Sequence, residues 1–435
     1  MITSARRFLI LVLLAGVSLS SFAIDFGGTI DNSTSVAYTF KDSDTYLFQK
    51  DRIALWLVSE FTPSLKLSIQ GSFTYTYEEP RPEFPYLPNL DFLTLQGSFP
   101  LEKQRTSLLS YTVGRFGLTD FSGLVLSDGI DGFKLDWNTW LANTSLAVGY
   151  SGLQFDQSST INLSWADFNN NELLAPPRMI GLLAAEFPEV FLKQSLFAAF
   201  LMQQDFRPNN EILPEGPGIE VTGQGGRLST QYLGVGLNGR IMPSLYYQAF
   251  AYVGTGKSLS YIDSEYQYAW ILSTIVGTAV RYFNEELMFT RAELRLLFAS
   301  GDADFNQSVI EGNREGLATV FVPISSKDLA LVFSPRLANL VLLEASYSIK
   351  PLDFLQTLVK GIVFLRPTTG PISDLRVDGD SIYLGSEIDA VARLRPFSDL
   401  GLAISFGLFF PGQEAFTATE RDPEFRGRLE ISFSF

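Results

Sequence analysis

The chain is 435 residues long, with 32 basic and 47 acidic side chains and a formal net charge of −15. That acidic balance argues against a nucleic-acid partner, which asks for a basic face. Cysteine and histidine are both absent, so there is no disulfide framework, no thiolate metal site and no imidazole chemistry; neither a metal nor a cofactor is expected.

The first 23 residues read as a cleaved secretory signal. Arg6 and Arg7 form a positive start and Phe8 to Gly16 an apolar stretch. Ser21-Phe22-Ala23 then places small residues at the two positions read by signal peptidase. The apolar run is shorter than the roughly 20 residues a spanning helix needs. Cleavage starts the mature chain at Ile24 with 30 basic against 47 acidic residues, a net charge of −17. No second apolar run of spanning length follows. Even so, 46% of the chain is hydrophobic and 14% aromatic, with 35 glycines. Aromatic girdles and Gly-rich strands of a membrane barrel have that composition.

Taken in order, the segments alternate with a period of two. Leu65, Leu67, Ile69, Phe73, Tyr75 and Tyr77 oppose Lys66, Ser68, Gln70, Ser72, Thr74 and Thr76. Leu233, Val235, Leu237 and Ile241 oppose Asn238 and Arg240. Met288, Ala292, Leu294, Leu296 and Phe298 oppose Arg291, Glu293 and Arg295. Val341, Leu343, Ala345, Tyr347 and Ile349 oppose Glu344, Ser346, Ser348 and Lys350. Ile382, Leu384, Ile388, Ala390, Ala392 and Leu394 oppose Glu387, Asp389, Arg393 and Arg395. In the last segment Leu429, Ile431, Phe433 and Phe435 oppose Arg428, Glu430, Ser432 and Ser434. Any one such segment would suit a soluble sandwich. Recurrence along nearly the whole chain, about ten residues at a time, is what a lipid-facing outside and a wet lumen require.

The connections alternate in length as well. Tight turns fall at Thr62-Pro63-Ser64, Met242-Pro243-Ser244, Phe283-Asn284-Glu285 and Pro396-Phe397-Ser398-Asp399. Between them lie long polar or Pro/Gly-rich stretches: Glu78 to Asn89, Leu118 to Ile130, Arg207 to Gly226, Ser300 to Gly316, Arg366 to Asp380 and Pro411 to Pro423. Short periplasmic turns with long external loops predict one all-β, up-and-down antiparallel transmembrane barrel over residues 24–435, of 18 strands with 16 or 20 as alternatives. Phe155 to Leu201 reads as extra strands or a helical turn inside a loop, and Ala318 to Asn339 as one bent strand or two short ones. The sheet should close, because an unpaired backbone amide in hydrocarbon costs several kcal/mol. The strand ending at Phe435 resembles the signal read by barrel-assembly machinery. The partners expected are therefore that machinery and the lipid bilayer of the outer membrane of a diderm bacterium.

By parity Arg240, Arg291, Arg295, Arg393, Arg395, Arg426 and Arg428 face inward, interleaved with Glu293, Glu387, Asp389 and Glu430. Arg115 shares parity with Tyr111 and Val113 and faces inward only if a bulge intervenes. Opposed charges across a pore set its selectivity, although the same charges would also keep a lumen wet and hold its strands in register. Arginine forks suit carboxylates, which points to acidic sugars or other anions. Hydrolases of this class depend on a histidine base, which the chain lacks. Glu387 and Asp389, two apart on one strand face, read better as lumen charges than as a glycosidase pair. Gly114-Arg115 and Asp128-Gly129 stand in no strand-loop-helix context, so no phosphate cradle is implied.

Two stretches resemble the alginate-export family of outer-membrane porins. One runs Asp91-Phe92-Leu93-Thr94-Leu95-Gln96-Gly97, Val113-Gly114-Arg115-Phe116 and Asp131-Gly132-Phe133-Lys134-Leu135. The other runs Leu384-Gly385-Ser386-Glu387-Ile388-Asp389 and Phe406-Gly407-Leu408-Phe409-Phe410-Pro411-Gly412. The resemblance implies an 18-stranded monomeric barrel whose arginine-lined lumen passes an anionic polysaccharide, with Arg115, Glu387 and Asp389 at matching positions. The chain departs from that pattern in its apolar middle, Phe155 to Leu201, and in its acidic balance.

The function expected is passive diffusion of small hydrophilic solutes, anionic saccharides among them, through an Arg/Glu-lined lumen, with no enzymatic activity. One alternative is a transporter of hydrophobic compounds resembling the long-chain fatty-acid family. That needs an N-terminal hatch, and only Ile24 to Ser35 precedes the first convincing strand. The other is a structural or adhesive barrel with a closed lumen, for which Arg207 to Gly226 or Leu118 to Ile130 would fold inward.

Overall fold

The computed structural model describes residues 23–40, 45–78, 85–101, 107–163, 173–191, 193–206, 227–262, 265–303, 317–372, 377, 379–416 and 421–435; residues 1–22, with the signal segment, and 207–226 lie outside them. Wherever the alternation runs long it becomes strand. In order these are β1 (Ala23–Thr39), β2 (Thr45–Thr62), β3 (Leu65–Tyr77), β4 (Tyr86–Pro100), β5 (Leu108–Thr119), β6 (Ser127–Asn138) and β7 (Asn143–Tyr150). Next come β8 (Arg178–Phe191), β9 (Gln194–Asp205), β10 (Ser229–Met242), β11 (Leu245–Ile262), β12 (Glu265–Asn284) and β13 (Thr290–Ala299). The last are β14 (Leu317–Ala318), β15 (Leu340–Leu352), β16 (Leu355–Leu365), β17 (Tyr383–Phe397), β18 (Leu400–Pro411) and β19 (Glu424–Ser434).

Each long strand pairs antiparallel with its sequence neighbours, β13 pairs with β15, and β1 closes the ring on β19. The two-residue β14 is set apart, parallel to β12. The result is a closed barrel of 18 antiparallel strands, as the alternation predicts. Closure leaves no edge whose amides would meet lipid. The turns at Thr62–Leu65, Met242–Leu245, Leu352–Leu355 and Phe397–Leu400, the start of β1 and the end of β19 lie on one rim, where Gly28 and Phe435 exchange backbone hydrogen bonds of 2.9 and 3.0 Å. The strand ends that the long connections join lie at the other rim.

Outward side chains are apolar and uncovered: Leu233 is 64% exposed, Leu294 65%, Ile388 55% and Phe406 52%. A continuous belt of this kind is untenable in water. It places the chain in an outer membrane, where lipid covers the belt.

Two glycines reset the alternation. Val113 is 44% exposed on the outer face, whereas Arg115, two residues on, is buried at 8%. Gly114 between them has φ of +114°, and this is the irregularity that turns Arg115 inward. A Cβ at position 114 would stand 2.0 Å from the Leu93 carbonyl oxygen. Gly114→Ala is therefore expected to cost about 2 kcal/mol or more in backbone strain and clash, lowering the temperature at which the heat-modifiable gel band shifts. Both ladders of β5 keep their register through Gly114, so the turn inward lies in the glycine backbone and not in an inserted residue; an unchanged transition would contradict this reading. Gly385 has φ of +148° beside a register shift in the β16–β17 ladder. Leu384, expected with the outward set, is fully buried instead.

Two further expectations need correction. Residues 318–339 are neither a bent strand nor two short ones. After β14 the chain runs through the lumen, burying Phe321, Ile324, Leu329, Phe333 and Leu337. Those apolar residues satisfy inward-facing neighbours, not lipid, which is why their pattern mimics a strand. The long connection drawn from Glu78 to Asn89 ends early, since β4 begins at Tyr86. The described residues of Phe155 to Leu201 hold a short 3-10 turn at Asp156–Ser158, then β8 and the start of β9; 164–172 and 192 lie outside them.

Candidate functional site: a charged lumen crossed by inward segments

Two segments fold into the lumen and meet there. The first is the β5–β6 connection, 120–126. The Asp120 carboxylate accepts the N–H groups of Ser122, Val125 and Leu126 at 2.8, 3.1 and 2.9 Å and the Tyr252 hydroxyl at 2.7 Å. Phe121 then stacks on Phe197 of β9 and Tyr252 of β11. Small wall residues make room for it: a Cβ on Gly236 would stand 2.7 Å from the Phe121 ring.

The second is 319–339. Its first half hangs from the β10–β13 wall through Tyr232, whose hydroxyl donates to the Val322 carbonyl, and through Ser300, whose carbonyl accepts the Phe321 N–H at 2.9 Å. Its second half is anchored on the opposite wall. Glu387 accepts the N–H groups of Leu331, Val332 and Phe333 at 2.9, 2.7 and 2.8 Å, and Arg426 donates to the Leu331 carbonyl at 3.1 Å. Phe333 packs between Phe364 and Phe409. Between its anchors the segment meets the first one, where Ile324 N–H donates to Val125 at 2.8 Å. It also meets a third strip, 151–163: Asn162 donates to Ile324 at 2.9 Å and Ser326 to Thr160 at 2.7 Å. Together these make a beam across the barrel.

Of the charges expected inside, Arg240, Arg291, Arg295, Arg393, Arg395 and Glu430 line described cavities, and the set as a whole does different things. Arg115 forks onto Asp131 at 2.9 and 2.8 Å and donates to the carbonyls of Leu90 and Leu153. Glu293 pairs with Arg291 at 2.6 Å and Arg281 at 3.1 Å. Arg295 pairs with Glu344 at 3.0 Å and Asp389 with Lys360 at 3.0 Å. Arg240 is exposed and donates to the Met242 carbonyl. Arg393, Arg395, Arg428 and Glu430 make no ion pair among the described residues.

Two cavities run down one side. The larger, of about 770 Å³, lies between the 154–160 strip and β2–β4 and is lined by Ser72, Thr74, Thr76, Asn89 and Asp91 together with Lys50 and Arg52. The other, of about 450 Å³, shares Lys50 and Arg52 and continues to Asp31, Arg393, Arg395 and Glu430. Arg52 is held by Asp91 at 2.6 Å and Asp31 at 3.7 Å, whereas Lys50 has no carboxylate partner among the described residues. Parity reasoning missed both basic residues. The signal was there, since Lys50 and Arg52 alternate with the outward Ile53, Leu55 and Leu57 on β2. On the other side, Arg240, Arg281, Arg291 and Arg295 line two more spaces against β10–β13.

Fold and belt define a class: an 18-stranded outer-membrane β-barrel with a polar, partly obstructed lumen. No protein-family model matches the chain, and no curated protein matches it. Among solved structures it is similar to outer-membrane porins of Pseudomonas aeruginosa. One is OpdQ, with a TM-score of 0.58 and 10% identity over 95% of this chain and 97% of that one. Another is OccK8 (OprE), at 0.57 and 12% over 95% and 98%. A third is OccK2 (OpdF) in complex with glucuronate, at 0.53 and 12% over 95% and 98%. Identity this low shows a shared fold.

Proposed function

We propose that the protein is a passive outer-membrane porin for small hydrophilic solutes, with preference for anionic saccharides and no enzymatic activity. The observation that carries this is the neck where the two cavities on the β1–β4 and β17–β19 side share Lys50 and Arg52. Lys50, which has no ion-pair partner among the described residues, places a free cation at that neck amid the carboxylates Asp31, Glu78, Asp91 and Glu430 of the cavity walls, and a free cation there raises the local concentration of anions. Arg393 lies in the same ladder row as Lys50, and Arg395, two residues on, extends the positive wall toward the periplasm. Ser72, Thr74 and Thr76, spaced two apart on β3, offer hydroxyls to a sugar above it. Arg115, Arg426, Glu387 and Asp389 serve this reading as framework, because their charges are engaged by the wall and the beam.

Two resemblances support the acidic-sugar preference. One is the motif likeness to the alginate-export family, and the other is a fold neighbour that holds glucuronate. Export by the N-terminal signal of residues 1–23 and insertion through the Phe435-tipped strand complete the proposal. A polar neck does not favour the hydrophobic-compound alternative. The inward 120–126 segment gives the closed-lumen alternative its one supporting observation.

Liposome swelling separates these readings. Glucuronate is expected to enter vesicles carrying the barrel several-fold faster than uncharged glucose of nearly the same size. Equal rates would remove the anion preference, and no swelling with either would favour the closed lumen.

A further inference from the structure

The spaces against β10–β13 form a compartment of their own. One, of about 500 Å³, is lined by Lys193, Arg240, Arg281 and Arg291. The other, of about 170 Å³, shares Gln248 and Arg281 with it and adds Arg295 and Lys327. Neither has a lining residue in common with the cavities that share Lys50 and Arg52. At the bottom, Lys193, Arg240 and Arg291 stand beside the short turns of the periplasmic rim. At the top, the compartment ends against Ser122 and Leu124 of the first inward segment and Lys327 of the second. Phe121, stacked on Phe197 and Tyr252, backs that end.

The charge here is unbalanced. Six cations line the compartment, and no carboxylate does. Glu293 engages Arg281 and Arg291 from the wall, and Glu344 engages Arg295. Six positive charges against these two negative ones leave four positive charges. Lys193, Arg240 and Lys327 have no ion-pair partner among the described residues, and the buried Nε of Arg295 has no hydrogen-bond partner. Lys193, Arg240, Arg291 and Lys327 are exposed to the water of the compartment, and like charges gathered along one recess raise the local concentration of anions there.

We propose that this compartment is a periplasm-facing binding site for a polyvalent oxyanion of the phosphate type, distinct from the conduit. A monocarboxylate would offset one of the four charges, whereas pyrophosphate or a phosphate ester offsets two to four. Guanidinium forks match phosphate oxygens two at a time. The upper space holds a phosphate group with a few waters, each taking about 30 Å³. An occupant there would touch Lys327 of the beam and Arg281 of the wall together, tying the inward segments to β12.

The test is calorimetric titration of the folded full barrel in detergent, at fixed ionic strength, with pyrophosphate, inorganic phosphate and acetate as probes. Pyrophosphate is expected to bind at least tenfold more tightly than acetate. Lys327→Gln and Arg240→Gln should each weaken it fivefold or more while the heat-modifiable gel shift stays intact. Lys50→Gln, at the neck on the far side, should leave it unchanged. Pyrophosphate binding no tighter than acetate would overturn the proposal. So would a loss in Lys50→Gln equal to that in Lys327→Gln, because the anion would then sit in the conduit. Conductance is read separately, so failure here leaves the porin reading standing.

Discussion

Replacing Glu387 by alanine is expected to raise the single-channel conductance and make it noisy, because it releases the second half of the beam. The carboxylate is 1% exposed and accepts three consecutive backbone N–H groups within 2.9 Å. Alanine leaves those donors in a site shaped for an acceptor, at about 1–3 kcal/mol for each buried group left unsatisfied. A total loss near 3 kcal/mol shifts the docked-to-released ratio of residues 331–333 by roughly 100-fold. Packing of Phe333 against Phe364 and Phe409 opposes release, so the segment should fluctuate and not leave. Glu387→Gln keeps one acceptor oxygen and should fall between alanine and the native chain. A conductance for Glu387→Ala identical in size and noise to the native value would mean that the beam does not border the conduit.

The second large effect is expected at the neck. Lys50→Glu changes the local charge by two units at a point where no described carboxylate pairs with Lys50. At about 5 Å through water, one unit of charge is worth about 0.8 kcal/mol to a passing ion. Reversal is then worth roughly 1.6 kcal/mol to each ion with opposite sign, about tenfold for either one and roughly 100-fold in the anion-to-cation permeability ratio before screening. The zero-current potential across a salt gradient should move toward the cation side and move less at high salt, where screening shortens the reach of the charge. The same reversal at Arg115, already paired with Asp131, should instead appear as instability, because a buried ion pair loses one partner. If Lys50→Glu left the potential unchanged, the neck would lie off the path.

The barrel was legible because its rules are repetitive. A bilayer outside and water inside force a period of two on every strand. Leu233, Leu294, Ile388 and Phe433 therefore declared their side without reference to any partner. The strand count followed from turns whose prolines and polar residues cannot lie within a central strand. What escaped were the places where the environment changes within one segment. At Gly114 and Gly385 the backbone adopts a conformation open mainly to glycine, and the parity rule inverts beyond it. Sequence offers only the glycine as a hint.

The beam was illegible for a different reason. Phe321, Ile324, Leu329, Phe333 and Leu337 bury themselves against the inside of the barrel, an apolar environment that alternation does not anticipate in a wet lumen. The site was half legible on similar grounds. Parity puts Arg240, Arg291, Arg295, Arg393, Arg395 and Arg428 on one side of their strands, and the first five line the described cavities. Which of them is neutralised depends on neighbours two or three strands away, such as Glu344 on β15 for Arg295. Lys50 and Arg52 were overlooked because β2 carries charged residues on both faces. Asp51 faces outward, held by Asn32 at 2.6 Å and Gln49 at 2.8 Å, and it blurs the alternation just where the neck lies.

The central claim, a water-filled conduit whose basic neck selects anions, is tested most directly in planar bilayers. The measurement is single-channel conductance of the folded barrel, with the zero-current potential recorded across a potassium chloride gradient. Discrete ohmic steps with a potential on the anion-selective side are predicted. No steps from protein that shows the folded gel band, or steps with cation preference, would contradict the account.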